Sequence, residues 1–260
     1  MKTKFISLAT LFALCVGVIS CNDEETPSNP YANDNDYNQV YDLVKYEVII
    51  NDTIIDGVQL ADTTVIDAVD LGLSVKWSTK NLGAVSSEGF GDYFAWGEVA
   101  PKSAYSAENY IHKGVNLGVN ISGTEYDAAT QILGEDWRMP TKEEVQELLD
   151  KCVWIWKEKI VIEQDTIQVE EKDTIVDVKV KYAHCEVVGP NGKAIYLPTV
   201  GSECEGTTNR VPLKFGCYWS ASSFGEMDAW TMQVSKDTHI IKSEGYRRFV
   251  GQAIRPVKNK

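Results

Sequence analysis

The chain has 260 residues, 43% hydrophobic and 10% aromatic, enough apolar material for a buried core and too much for a disordered polymer. Its 25 Lys and Arg are outnumbered by 38 Asp and Glu, and the net charge of −13 argues against nucleic-acid partners. Only one apolar run approaches membrane length, at the N-terminus, which excludes a multi-pass membrane protein.

Lys2 and Lys4 precede an apolar run from Phe5 to Ile19 that ends at Ser20-Cys21. A basic start, a short apolar stretch and a small residue before a cleavage point predict a secretory signal over 1–20. Val18-Ile19-Ser20-Cys21 resembles a bacterial lipobox, in which the Cys21 thiol receives a diacylglyceryl group and becomes the mature first residue. The following Asn22-Asp23-Glu24-Glu25 resembles the acidic signal that sends lipoproteins of the Bacteroides type to the outer face of the outer membrane. Both resemblances predict a surface-exposed outer-membrane lipoprotein whose membrane partner is reached through its lipid anchor.

Residues 21–39 carry Asn, Asp, Pro and Ser with few aliphatics and read as a flexible acidic tether. Positions 22–68 hold 11 acids and one lysine, so the acidity belongs to the tether and its neighbour rather than to the main domain. Between 40 and 68, Val44, Tyr46, Val48 and Ile50 alternate with Lys45, Glu47 and Ile49, and Asp56-Gly57 supplies a turn, which predicts a small β segment. The main domain then spans 69–260. Val69 to Trp77 reads as an edge strand, and 82–123, rich in Gly, Ser and aromatics without periodicity, reads as loop.

Two helices follow. The first covers about 125–133, with Ala128, Ala129, Ile132 and Leu133 as its buried stripe and Gly134 as its stop. The second starts at the capping box Thr141–Glu144 and places Val145, Leu148, Leu149 and Cys152 on one face. From 157 to 181 charged and β-branched residues alternate, predicting a long exposed β-hairpin insertion. Gly189-Pro190-Asn191-Gly192 turns the chain into Ile195–Pro198, and short strands at 218–220, 229–234 and 251–257 complete an α+β pattern.

In chain order, Val69–Trp77, Gly91-Asp92-Tyr93-Phe94-Ala95-Trp96-Gly97-Glu98, Trp137-Arg138-Met139-Pro140-Thr141, Cys152 with Trp154 and Trp156, Tyr196-Leu197-Pro198, Tyr218-Trp219-Ser220 and Ile254-Arg255-Pro256-Val257 resemble the Fibrobacter succinogenes major paralogous (FISUMP) domain, over about 69–258. The resemblance implies a C-type-lectin-like fold: first and last strands paired at the base, two helices beside small twisted antiparallel sheets, and a long loop region as the upper face. It implies no particular function. The segment 157–181 is longer than the family pattern.

His112, His184 and His239 lack metal-site spacing, no G-x-S-x-G elbow is present, and no dense run of oxygen ligands suits calcium, so neither a metal nor a cofactor is expected. The cysteines of the main domain, Cys152, Cys185, Cys204 and Cys217, form an even set that in an exported chain favours disulfides. Three connectivities are possible: Cys204 with Cys217 would close a short loop and Cys152 would reach Cys185, while Cys152 also reads as a buried thiol. Trp77, Trp137 and Trp219 read as core. Trp154 and Trp156, two apart, share a face that reads as core before binding platform. Trp96, Glu98 and Tyr105 in the first loop segment and Arg210 in the second are the candidate ligand contacts. Asp-Thr occurs five times; Thr53, Thr63, Thr166 and Thr174 resemble the Asp-Thr-aliphatic acceptors of Bacteroides-type O-glycosylation, whereas turn chemistry accounts for the same pairs. The leading expectation is non-catalytic binding of a glycan or protein through loops 82–123 and 201–228. The alternatives are an adhesive or structural subunit whose β segments at 44–66 and 157–181 pair with another chain, and an enzyme of the formylglycine-oxidase type, which depends on paired cysteines.

Overall fold

In the computed structural model, which describes residues 66–169, 172–204, 207–209, 215–242 and 246–260, small antiparallel sheets dominate and two helices interrupt them, an α+β arrangement. The signal segment, Cys21, the tether, Thr53, Thr63 and Arg210 lie outside the described residues, as do the side chains of Thr166, Thr174 and Cys204.

The base of the domain is a four-stranded sheet ordered β1 (Ala68–Asp70), β2 (Lys76–Ser78), β12 (Val257–Lys258), β3 (Trp137–Arg138). Val257 and Lys258 pair with Trp77 and Lys76 on one side and with Arg138 and Trp137 on the other, so the beginning and end of the domain are joined in this sheet. The edge strand expected over Val69–Trp77 is instead two strands folded on each other, with Val69 opposite Trp77. Gly72, at φ +83°, turns the chain, and its N–H is accepted by Asp70 Oδ1 at 2.9 Å. Leu71, Leu73 and Val75 are consequently buried inside the bend rather than alternating along a strand.

The first helix, α1 (Ala128–Leu133), is shorter than expected because Asp127 caps it, accepting the N–H groups of Ala129 and Thr130. Gly134 ends it, as its sequence position suggested, but Ile132 is 38% exposed and does not belong to the buried stripe. The second, α2 (Lys142–Lys151), carries the expected capping box: Thr141 Oγ1 accepts from Glu144 N and Glu144 Oε2 accepts from Thr141 N. Val145 and Leu148 are buried; Leu149 and Cys152 pack at the margin of the core.

The expected hairpin is real and longer than its sequence boundaries. β4 (Val153–Val169) and β5 (Lys172–Val188) pair without a break from Val153–Val188 to Val169–Lys172. β6 (Ala194–Pro198) extends this sheet only as far as His184–Pro198, so beyond Lys157 the ribbon is two-stranded. The 189–192 turn joins β5 to β6. A third sheet is ordered β11 (His239–Lys242), β10 (Asp228–Ser235), β9 (Phe215–Phe224), and β7 (Ser202–Cys204) pairs with β8 (Thr207–Asn209). The strand expected over 251–257 is reduced to β12. Its earlier residues bridge in turn to Phe94 (Gln252) and Tyr218 (Ala253), two partners that a single straight strand would not reach together.

The core has two parts. One gathers Leu71, Trp77, Leu148, Val187, Leu197, Tyr218 and Val257; the other gathers Phe94, Trp96, Ile121, Met139, Trp219 and Ile254. Trp77, Trp137 and Trp219 are core, as their motifs suggested. Trp154 and Trp156 are half-buried against the first part, on the face opposite exposed Val153 and Ile155.

Candidate functional site

The loop segment 82–123 contains almost no regular structure, yet its aromatics are internal. Trp96 is 0% exposed, its indole N–H donates to the Ser220 carbonyl at 2.9 Å, and the Arg248 guanidinium lies 4.5 Å over its ring. Tyr105 is 1% exposed; its hydroxyl donates to the Tyr93 carbonyl and accepts the Lys102 N–H. A Cβ on Gly251 would stand 2.7 Å from the Tyr105 ring, so the chain needs glycine there to seat it. Glu98, 4% exposed, pairs with Lys102 Nζ at 2.8 Å and accepts the Ile111 N–H at 2.9 Å. These three residues are the internal frame of the loop, and none offers a face to a ligand. Their assignment as ligand contacts is corrected: side chains buried in the interior, with their polar atoms engaged by neighbouring groups, have no face free to stack on a sugar ring.

The cysteine expectation is corrected too. Cys152, Cys185 and Cys217 are free thiols. Cys185 stands opposite Trp156, whereas Cys152 precedes Val153, the partner of Val188. The two cysteines are thus about four residues apart along the ladder, roughly 13 Å, beyond the reach of a disulfide. Burial pushes the thiols up, to about 11 at Cys152 and about 12 at Cys185 and Cys217, so they are weak nucleophiles at neutral pH.

What the loops present instead is an apolar patch around the β9–β10 turn. Ser223 N donates to the Val119 carbonyl at 3.0 Å and Asn120 bridges to Ser222, which brings the first loop segment beside the end of β9. Val119 is 82% exposed, Met227 63% and Phe224 40%. Trp230 packs edge-on against Phe224, ring centroids 5.3 Å apart, and Lys142 Nζ sits 3.7 Å over its ring. Lys142 is held there because its N–H, at the start of α2, donates to Ser222 Oγ at 3.0 Å. Arg248 fixes the turn from beneath through the Gly225 and Asp228 carbonyls, and Arg247 pairs with Asp228. The sequence places Trp230 inside a strand, as β10 does, but does not show it half-buried beside exposed Phe224. The available signal was Phe224 and Trp230 flanking the Gly225-Glu226-Met227 turn, which puts two aromatics at one hairpin end.

A concavity of about 390 Å³ lies between α2 and β11 and is lined by Gln146, Leu149, Asp150, His239, Ile240 and Ile241. His239 stacks on Trp154 at 4.7 Å, nearly parallel, and burial lowers its pKa. Among the described residues no group of three or more His, Cys, Asp or Glu is placed to hold a metal ion. No described helix is long and apolar enough to cross a membrane.

Fold and site together define an α+β domain with an irregular loop face that displays an apolar, aromatic and cationic patch. No protein-family model, curated protein or solved structure matches the chain.

Proposed function

We propose that the chain is a surface-tethered lipoprotein, acylated at Cys21, whose FISUMP-like domain has a C-type-lectin-like fold and binds a glycan or protein without catalysing a reaction. Val119, Phe224, Met227, Trp230 and Lys142 form the contact surface. The observation that carries this reading is the exposed apolar set at the β9–β10 turn, joined to an aromatic ring already engaged by a cation. Large apolar groups clustered on a loop face are a mark of recognition rather than of chemistry. The paired strands at the two ends, Trp77 with Val257, also support the lectin-like reading.

A glycan array probed with the full-length protein tests the proposal. Binding to a polysaccharide class that falls about tenfold or more in Trp230→Ala and Phe224→Ala is the expected result. Binding unchanged by both substitutions would remove the patch from the reading, and no binder across diverse polysaccharides would leave a protein ligand as the surviving half.

A second reading, an adhesive or structural subunit, is favoured by one observation: the 17-residue strand β4 ends its sheet and, among the described residues, pairs on one side only. Thr166 and Thr174 lie in the ladder of this hairpin, opposite Ile175 and Ile167. Asp165-Thr166 falls inside β4 rather than at a turn, which favours its reading as a glycan acceptor over turn chemistry. Intact mass of protein from the native host, equal to the lipid-modified polypeptide alone, would refute glycosylation at Thr53, Thr63, Thr166 and Thr174.

A further inference from the structure

The edge formed by β4 has a property that alternation alone does not require. Its odd-numbered residues, which share one face, are Val153, Ile155, Lys157, Lys159, Val161, Glu163, Asp165, Ile167 and Val169. Read outward from Val161, the two directions match in hydrophobicity and oppose in charge. An antiparallel copy centred on Val161 sets Lys159 against Glu163, Lys157 against Asp165, Ile155 against Ile167 and Val153 against Val169. The other face is compatible: Ile160 meets Ile162, Glu158 meets Gln164, Trp156 meets Thr166 and Trp154 meets Gln168. No like charges meet at any position.

We infer that β4 is a homodimerisation edge, two copies pairing β4 to β4 about a two-fold axis through Val161 to form one continuous six-stranded sheet ordered β6-β5-β4-β4-β5-β6.

Three physical arguments support a second copy as the occupant. An isologous two-fold contact requires a self-complementary surface, which a random strand does not have. Val153 is 63% exposed, Ile155 38% and Ile160 65%, large aliphatics that a solvent-facing edge has no reason to keep. Register is also specified. Moving the centre to residue 160 puts Ile155 opposite Asp165, moving it to residue 162 puts Lys157 opposite Ile167, and a pairing of odd with even positions exchanges the faces. Lys157 now lies 3.5 Å from Glu186 and Lys159 3.4 Å from Glu88, contacts with half-exposed side chains that leave both ammonium groups within reach of the incoming acids. The paired edge would run roughly 56 Å, 17 residues at about 3.3 Å each, and its main-chain hydrogen bonds would engage the outer row of β4 donors and acceptors, which no strand among the described residues pairs.

The pairing does not depend on what the loop face binds. It is tested on the full-length chain in density-matched detergent by sedimentation velocity over a concentration series. A species of twice the chain mass is expected. Lys157→Glu/Lys159→Glu and, separately, Glu163→Lys/Asp165→Lys should each weaken it about tenfold or more, because four like-charge pairs then meet. Mixing the two variants should restore a dimer composed of one of each, which misfolding could not produce. Under mild oxidation Val161→Cys should form an intermolecular disulfide, since residues facing each other across the axis are about 4.5–5.5 Å apart at Cα; Glu163→Cys, whose own copy would be about 13 Å away, should not. A monomer at every concentration, a mixture that stays monomeric, or equal cross-linking at both positions would overturn the inference.

Discussion

Trp96 and Trp219 each donate an indole N–H to the segment that carries the other. Trp96 Nε1 reaches the Ser220 carbonyl at 2.9 Å and Trp219 Nε1 reaches the Phe94 carbonyl at 2.8 Å, both across a fully buried interface. Ala95 and Glu98 need no regular strand to hold their place, because this exchange fixes the loop to β9. Trp96→Phe deletes one donor, strands a buried carbonyl and leaves a void. It should cost about 2–4 kcal/mol, read as a lower denaturant midpoint with an unchanged slope. Ligand affinity of the folded fraction should not change, which separates Trp96 from Trp230 in the proposed contact surface.

Arg255 is 1% exposed and lacks a carboxylate among its described hydrogen-bond partners. Its guanidinium donates to Asn81 Oδ1 at 2.8 Å, the Ser78 carbonyl at 3.2 Å and the Tyr196 carbonyl at 2.5 Å. Burial lowers its pKa, and the planar fork connects β2, the loop after it and β6 to the C-terminal segment. Arg255→Lys keeps the charge but cannot span the three acceptors, so it should destabilise by about 2–4 kcal/mol in equilibrium unfolding. A lysine variant within about 0.5 kcal/mol of the parent would show that the fork geometry carries nothing.

The features legible in the sequence are those set by neighbours along the chain. Thr141 and Glu144 specify each other's bonds within one turn, and the alternation of β4 and β5 declares a ribbon whatever lies around it. Trp96 and Tyr105 were not legible because their burial depends on Ser220 and Gly251, more than a hundred residues away. The same holds for the surface patch. Lys142 meets Trp230 only because α2 starts beside Ser222, a tertiary fact with no local signature. The break in Val69–Trp77 was available in principle, since Asp70-Leu71-Gly72 is a turn sequence, but the apolar run on both sides resembled one strand.

Glu147 connects α2 to the bend between β1 and β2. Burial opposes its ionisation, but Lys151 Nζ at 2.8 Å, together with the Ser74 hydroxyl and N–H, holds the carboxyl at about 2 against an ordinary value of 4.5. A carboxyl depressed in the folded state stabilises it above the unfolded value, and that contribution disappears as pH falls from about 4.5 toward 2. Glu147→Gln should therefore flatten the stability profile in that window, and Ser74→Ala should do so in part. Parallel acid limbs for parent and Glu147→Gln protein, measured by urea unfolding at stepped pH, would count against the contact.

The buried thiols govern the opposite end of the pH scale. Burial raises Cys185 and Cys217 to about 12 and Cys152 to about 11, against 9 when unfolded. The unfolded chain thus loses these protons first, and stability falls as pH rises from 9 toward 11–12. Cys185→Ala should lower stability at neutral pH, by about 1 kcal/mol for the lost sulfur contact, yet show a shallower decline above pH 9. The same burial makes the thiols slow toward a disulfide-exchange reagent in the native protein, while in denaturant Cys152, Cys185 and Cys217 should all titrate at once. Loss of those three equivalents from the denatured titration, with their recovery after reduction, would show instead that the residues are oxidised in solution.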